Sequence, residues 1–233
     1  MFSHVVGAAS LKESTMSDRS ASARFWDRTA RKYAADPIRD LAGYERTLAR
    51  AREWLDPSDS VLEIGCGTGT SALRLAPSVK RIIGTDLSTE MIAIARERAA
   101  TANCPNASFE VASAGEPISA AEPSDAVLAF NLLHLVPDRH AVLGGIRQSL
   151  KPGGLFISKT PCLAEMNPLI RLAIPVMQVI GKAPYVSCFS AGQLEDDMVA
   201  AGFVIEERDR HGSGKRDPRL FVVARRPLLE QQG

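Results

Sequence analysis

Residues Val61 to Thr70 read Val-Leu-Glu-Ile-Gly-Cys-Gly-Thr-Gly-Thr, a short apolar run that passes straight into a glycine-rich turn carrying one acid. Such a run is a strand ending in a sharp loop. Gly65, Gly67 and Gly69 give that loop a backbone with no Cβ to hold a nucleoside ligand away. The spacing narrows the ligand. A dinucleotide fingerprint needs Gly-x-Gly-x-x-Gly, which would place its third glycine at position 70, where Thr70 stands. Glu63, two residues before the first glycine, would repel a pyrophosphate and suits a cationic group such as an α-amine.

Downstream, apolar runs alternate with helical patterns. Strands are predicted at about 60–64, 81–86, 107–112, 125–130 and 154–160, and helices at about 70–76, 88–102 and 139–150. Right-handed crossovers between such units build a parallel sheet covered on both faces. Phe203 to Arg208 and Arg219 to Ala224, joined by the polar turn His211-Gly212-Ser213-Gly214, read as an antiparallel hairpin. The fold class is therefore α/β, a Rossmann-like three-layer α/β/α sandwich with a mostly parallel sheet and a C-terminal antiparallel hairpin.

The motifs resemble those of the class I S-adenosylmethionine-dependent methyltransferases. Val61 to Gly69 is similar to the first motif of that family, and Arg81-Ile82-Ile83-Gly84-Thr85-Asp86-Leu87-Ser88 to its second strand. Asp125 to Leu135 looks like the fourth strand and its loop, and Leu150-Lys151-Pro152-Gly153-Gly154 like the turn into strand five. Four motifs in order are specific, and the similarity covers roughly Arg24 to Pro227. The resemblance implies S-adenosyl-L-methionine as cofactor. It implies that Glu63, Gly65, Cys66, Gly67 and Gly69 cradle that cofactor, that Asp86 takes both ribose hydroxyls, and that Leu87 with Met91 packs on the adenine. Ser113-Ala114 occupies the positions where the family usually carries an acid and an apolar residue for the adenine amino group. Asn131 falls at the end of strand four, and Tyr33 or Tyr44 matches the family's aromatic lid over the methionine end. Simpler roles compete: Asp86 could favour a helix N-terminus capped by Ser88, Cys66 reads as a small packing residue, and either tyrosine could pack on the surface.

Composition bounds the rest. A chain of 233 residues suffices for one domain, and 28 Lys+Arg against 27 Asp+Glu advertises no nucleic-acid partner. Cys66, Cys104, Cys162 and Cys188 show neither CxxC pairing nor zinc spacing, so no metal is expected and reduced thiols in the cytoplasm are the plain reading. Residues 1–20 read as a tail, with Met16 as a candidate start, and 21–233 as a single domain. Between strand five and the last helix lies an insertion, residues 162–189, dense in apolar groups and punctuated by Pro168, Pro175 and Pro184. Proline divides it into a pair of broken helices, too short to span a bilayer, that pack inside, roof an apolar pocket or touch a membrane surface.

In-line attack on a sulfonium methyl needs alignment and exclusion of water, and a base only when the acceptor is protonated. His134, in the strand-four loop, is the candidate base or a residue that orients that loop. The loop Phe130-Asn131-Leu132-Leu133 lacks the Asn/Asp-Pro-Pro-Tyr pattern associated with nucleic-acid or amide nitrogens. The expected activity is methyl transfer to a small, largely apolar acceptor: lipid-like, phenolic or a thiol. Two alternatives stand beside it, a cofactor-binding sensor or scaffold without transfer and a nicotinamide oxidoreductase, the latter disfavoured by Glu63 and Thr70.

Overall fold

Strands that are apolar on both faces must be covered on both faces, and helices cover the central strands here on either side. The computed structural model describes residues 5–114, 122–166, 168–179, 183–214 and 217–228. In chain order its elements are α1 (Val5–Ala35), α2 (Leu41–Trp54), β1 (Ser60–Ile64), α3 (Thr70–Leu75), β2 (Arg81–Asp86), α4 (Thr89–Thr101), β3 (Ala107–Val111), β4 (Ser124–Phe130), α5 (Arg139–Ser149), β5 (Leu150–Pro161), α6 (Pro168–Val179), α7 (Ala191–Ala200), β6 (Val204–Asp209) and β7 (Arg219–Arg225). The 7-stranded sheet runs β3-β2-β1-β4-β5-β7-β6, parallel from β3 to β5 and antiparallel on both sides of β7. This is the expected Rossmann-like sandwich with its C-terminal hairpin.

Alternation along each strand divides the core in two. Val61, Leu128, Ile157 and Phe221 meet Leu48 of α2, Leu75 of α3 and Ile92 of α4. Leu62, Val127, Phe156 and Val222 meet Leu143 and Ile146 of α5 and Leu194 and Met198 of α7. The Lys151-Pro152-Gly153-Gly154 segment, expected as a turn before strand five, is instead a bulged entry into it. Along β4 the partner jumps from Leu150, opposite Ser124, to Leu155, opposite Ala126. Gly153 takes φ +80° there, a conformation that favours glycine.

Two segments differ from expectation. The segment expected as a tail is helical from Val5, because nothing between Val5 and Ala35 is proline and the helix stops only before Asp36-Pro37. In the 162–189 insertion a 3-10 turn at Leu163–Glu165 is followed by one helix, α6, rather than a broken pair. Pro168 starts that helix, where its missing N–H costs nothing, and Pro175 is carried inside it. The stretch after α6 is pinned to the strand-four loop, since Ser187 N donates to His134 O at 2.7 Å. No helix among the described residues is long and apolar enough to cross a membrane.

The first helix is tied to the sheet layer by one carboxylate. Trp26, Ala30 and Ala34 of α1 pack on Met91 and Ile94 of α4. Beside them Asp27 Oδ1 accepts from Ser88 Oγ at 2.6 Å and from Glu90 N at 3.1 Å. Ser88 is the N-cap of α4, its Oγ accepting from Met91 N at 3.1 Å, so Asp27 adds a negative charge to a helix N-terminus that is already capped. Asp27→Ala is expected to cost about 2 kcal/mol, the size of charge-assisted bonds to a partly buried group. That lowers the melting temperature by about 4–8 °C for a domain of this size. A shift below about 1 °C in thermal denaturation would show that the helix is held by its apolar face instead.

Candidate active site

The glycine turn leaves the carboxyl end of β1, the side on which ligands bind in open α/β sheets. Two of its glycines are forced by contact as well as by conformation. At Gly65, φ +67°, a Cβ would lie 2.7 Å from Leu132 Cδ1, and at Gly69, φ +75°, one would lie 2.8 Å from Phe109 Cζ. Gly67 differs: with φ +54°, its Cβ would meet only Tyr33 Cε1, at 3.9 Å, so its side faces open space beneath an aromatic ring. Asp86, at the end of β2, holds the turn. Its Oδ2 accepts from Gly67 N at 3.0 Å and its Oδ1 from Ser88 N at 2.9 Å. Burial pushes its pKa above the usual carboxylate range, against the pull of the Ser88 and Gly67 amides. Each carboxylate oxygen has a second lone pair, so both can accept a further hydroxyl.

Glu63 points from β1 to the α2 and α3 side of the sheet and is 2 % exposed. Burial pushes its pKa to about 8, opposed by the Ala72 amide, and Oε2 has no hydrogen-bond partner among the described residues. A buried carboxylate without a counter-charge is costly, and a cation brought to it would recover that cost.

A cleft of about 810 Å³ opens over the turn. It brings together Glu63, Gly65, Cys66, Gly67, Asn131, Tyr33 and Tyr44 from the residues that the sequence singles out. Tyr44 OH lies 3.2 Å from Ser71 Oγ, and burial pushes it up to about 12, so it remains a neutral phenol. Asn131 takes φ +55°, and its amide donates to Lys159 O at 2.7 Å, which turns the loop sharply away from β4. The Cys66 thiol is buried and pushed well above its ordinary pKa, an inert packing group.

Other expected residues do not line this cleft. Asp86 reaches it only through Gly67. Met91 is 2 % exposed and packs under α1. Ser113 and Ala114 end the third-strand loop, with Ala114 against the core, and the following positions 115–121 lie outside the described residues. Leu87 is half-buried beside Asp86. His134 is also outside the cleft wall. Burial alone lowers its pKa to about 4, and its buried Nδ1 has no partner among the described residues. The described part of the 162–189 insertion contributes nothing to the wall either.

The sequence reading missed several residues that the fold brings here. Arg98 of α4 donates to Thr68 Oγ1 at 2.7 Å, to Thr70 Oγ1 at 2.9 Å and to Ala34 O at 2.8 Å, clamping the glycine turn to the end of α1. Lys159 and Arg219 reach the cleft from β5 and β7. For Lys159 a signal existed: a charge inside the apolar run Leu155-Phe156-Ile157-Ser158-Lys159 is rare in a central strand.

Comparison with known proteins places this geometry. A family described as a methyltransferase domain matches residues 61–154. The chain is 35% identical over 140 residues to a 23S rRNA (uracil(1939)-C(5))-methyltransferase of Pseudomonas fluorescens, covering 59% of this chain and 31% of the relative. It is 33% identical over 138 residues to a trans-aconitate 2-methyltransferase of Variovorax paradoxus, covering 58% and 49%. The chain thus spans a third to a half of these curated relatives. The N-methyltransferase NodS of Bradyrhizobium japonicum, solved with S-adenosyl-l-homocysteine, superimposes with a TM-score of 0.66 at 20% identity, covering 87% of this chain and 98% of NodS. Residues 61–154 thus match a methyltransferase domain, and the chain shares the fold of a methyltransferase solved with S-adenosyl-l-homocysteine.

Proposed function

We propose that this protein transfers a methyl group from S-adenosylmethionine to a small organic acceptor with a largely apolar body. One observation carries the reading: the Oε2 of Glu63, without a hydrogen-bond partner among the described residues, stands at the wall of an open cleft beside a glycine turn whose central residue faces open space. The residues fit the donor. Glu63 would hold its ammonium group and Asp86 its ribose hydroxyls, while Gly65 and Gly67 let it lie against the backbone. When bound, it supplies an electrophilic sulfonium methyl, and the chain's task is to align an acceptor and exclude water. Tyr33 and Tyr44 wall that end of the cleft. The near balance of 28 basic and 27 acidic residues leaves no surplus for phosphate contacts and favours a small molecule over RNA.

Three measurements test this reading. Asp86→Ala is expected to weaken S-adenosylhomocysteine binding at least tenfold by calorimetry, since two bonds to a carboxylate are lost, each worth about 1.5–3 kcal/mol. Unchanged affinity would remove Asp86 from the site.

Glu63 makes binding depend on pH. Its pKa of about 8 in the ligand-free protein means that it is mostly protonated at neutrality, whereas a bound ammonium favours the ionised form. Binding then releases a proton, and affinity rises several-fold from pH 6.5 to 8. Glu63→Gln should abolish that rise; a slope that survives the substitution would assign it to another group.

For His134 the expected effect is small. An imidazole that holds its proton only below about 4 and stands outside the cleft wall is a weak base, suited to shaping the loop that Ser187 grips. His134→Gln should leave turnover within about fivefold, whereas loss of a general base costs about 10²–10⁴. A loss of that larger size would restore it as the base.

A further inference from the structure

Lys159 is 5 % exposed yet lines the floor of the cleft. It is one strand position beyond the core: Ile157 packs on the α2 side of the sheet, and Lys159, two residues on, shares that face. Its Nζ donates to Thr47 Oγ1 at 2.6 Å and lies 3.4 Å from Gly43 O, both uncharged oxygens. The nearest carboxylate, Asp217 Oδ2, is 4.0 Å away, beyond hydrogen-bond range. That carboxylate is already engaged through Oδ1 by Arg219 Nε at 2.7 Å, and its Oδ2 has no hydrogen bond among the described residues. A buried ammonium is thus held by neutral acceptors and a distant, shared acid. Burial, with the Arg219 charge, lowers its pKa to about 8.

The neighbours make this end of the cleft cationic. Arg219 also lines it, and spends Nε and Nη2 on Asp217 and Asp40. Arg39, in the α1–α2 connection, lines the rim and makes no hydrogen bond or ion pair among the described residues. Asp36 lines the rim near Arg39, whereas the acids that touch this group, Asp40 and Asp217, do not line the cleft. The other titratable groups facing Lys159 are Arg46 of α2 and His211 after β6, whose Nδ1 lies 3.2 Å from Thr47 Oγ1.

Glu63 marks the opposite end. Through β4 it registers with Leu128 and Leu128 with Ile157, so Lys159 is two strands across and two residues further toward the carboxyl ends. At about 4.8 Å between strands and 3.3 Å per residue, the two Cα atoms are roughly 12 Å apart. The ammonium and carboxylate of one amino-acid end share a carbon atom. Lys159 is not among the charges that shift the Glu63 carboxyl, so the two groups mark separate parts of the cleft.

Resting on the methyl-transfer reading above, we propose that Lys159, supported by Arg219, is the anchoring residue of the acceptor subsite and that the acceptor carries a carboxylate. An organic acid with an apolar body meets both demands of the cleft, since its charged end completes the shell of Lys159 while its hydrocarbon lies along Phe130.

The test uses the full chain saturated with S-adenosylhomocysteine and titrated with benzoate and hexanoate, each against its primary amide. The acids should bind at least tenfold more tightly than the amides. Lys159→Met should erase that preference while leaving S-adenosylhomocysteine affinity within about twofold. A measurement on the unaltered chain keeps the test independent of that variant's folding. At pH 8, where Lys159 is about half protonated, binding of an acid should take up a fraction of a proton, seen as a dependence of calorimetric heat on buffer ionisation enthalpy. Amides that bind as tightly as acids, or acid binding without proton uptake, would overturn the carboxylate subsite. Failure of the unaltered chain to bind S-adenosylhomocysteine would instead overturn the methyl-transfer reading beneath it.

Discussion

The carboxylate of Asp86 is the pin on which this site turns. One oxygen holds the amide of Gly67 and the other the amide of Ser88, so the glycine turn after β1 and the first turn of α4 are fixed against each other by a single side chain at the end of β2. The turn needs such a pin because Gly65, Gly67 and Gly69 all adopt positive φ, and glycine loses more conformational freedom on folding than any other residue. Parallel pairing of β1 with β2, Ile64 opposite Thr85, brings the two strand ends level and makes the contact available.

Other parts of the cleft follow from that pin. Ser88, aligned by Asp86, caps α4 and receives Asp27, which brings α1 down across the helix N-terminus. Arg98, nearly three turns further along α4, fastens the far end of α1 and the outer side of the glycine turn at once. The cleft wall is thereby assembled from the chain's first helices and its first strand, with Tyr33 above Gly67 and Tyr44 beside Ser71. Across the sheet, β5 and β7 supply the opposite end, where Lys159 and Arg219 replace the apolar residues that a buried face would otherwise carry. The buried acid Glu63 therefore lies beneath the glycine turn, and Lys159 and Arg219 lie toward the hairpin.

Local chemistry was readable in the sequence wherever it acts over a few residues. The strand-to-turn run at Val61–Gly69, the acid closing β2, the Ser88 cap and the β6–β7 hairpin all announce themselves through spacing and residue type, and the mostly parallel sheet followed from alternation. What escaped notice depends on contacts between distant segments. Asp27 meets Ser88 across 61 positions of sequence and Lys159 meets Thr47 across 112, and no local pattern encodes such pairs. The 162–189 insertion misled for another reason: proline lacks one hydrogen bond but does not always break a helix, and α6 continues through Pro175. His134 drew attention as a titratable group in the right loop, yet it stands outside the cleft wall, in a loop whose Leu132 and Leu133 are buried.

The central claim is that Glu63 and Asp86 together define where an S-adenosyl ligand lies. A crystal structure of the chain with S-adenosylhomocysteine tests it most directly. The account predicts the ligand's ammonium within about 2.7–3.2 Å of Glu63 Oε2 and its two ribose hydroxyls on the Asp86 carboxylate. A ligand whose nucleoside lies away from Asp86, or whose carboxylate rather than ammonium faces Glu63, would contradict it.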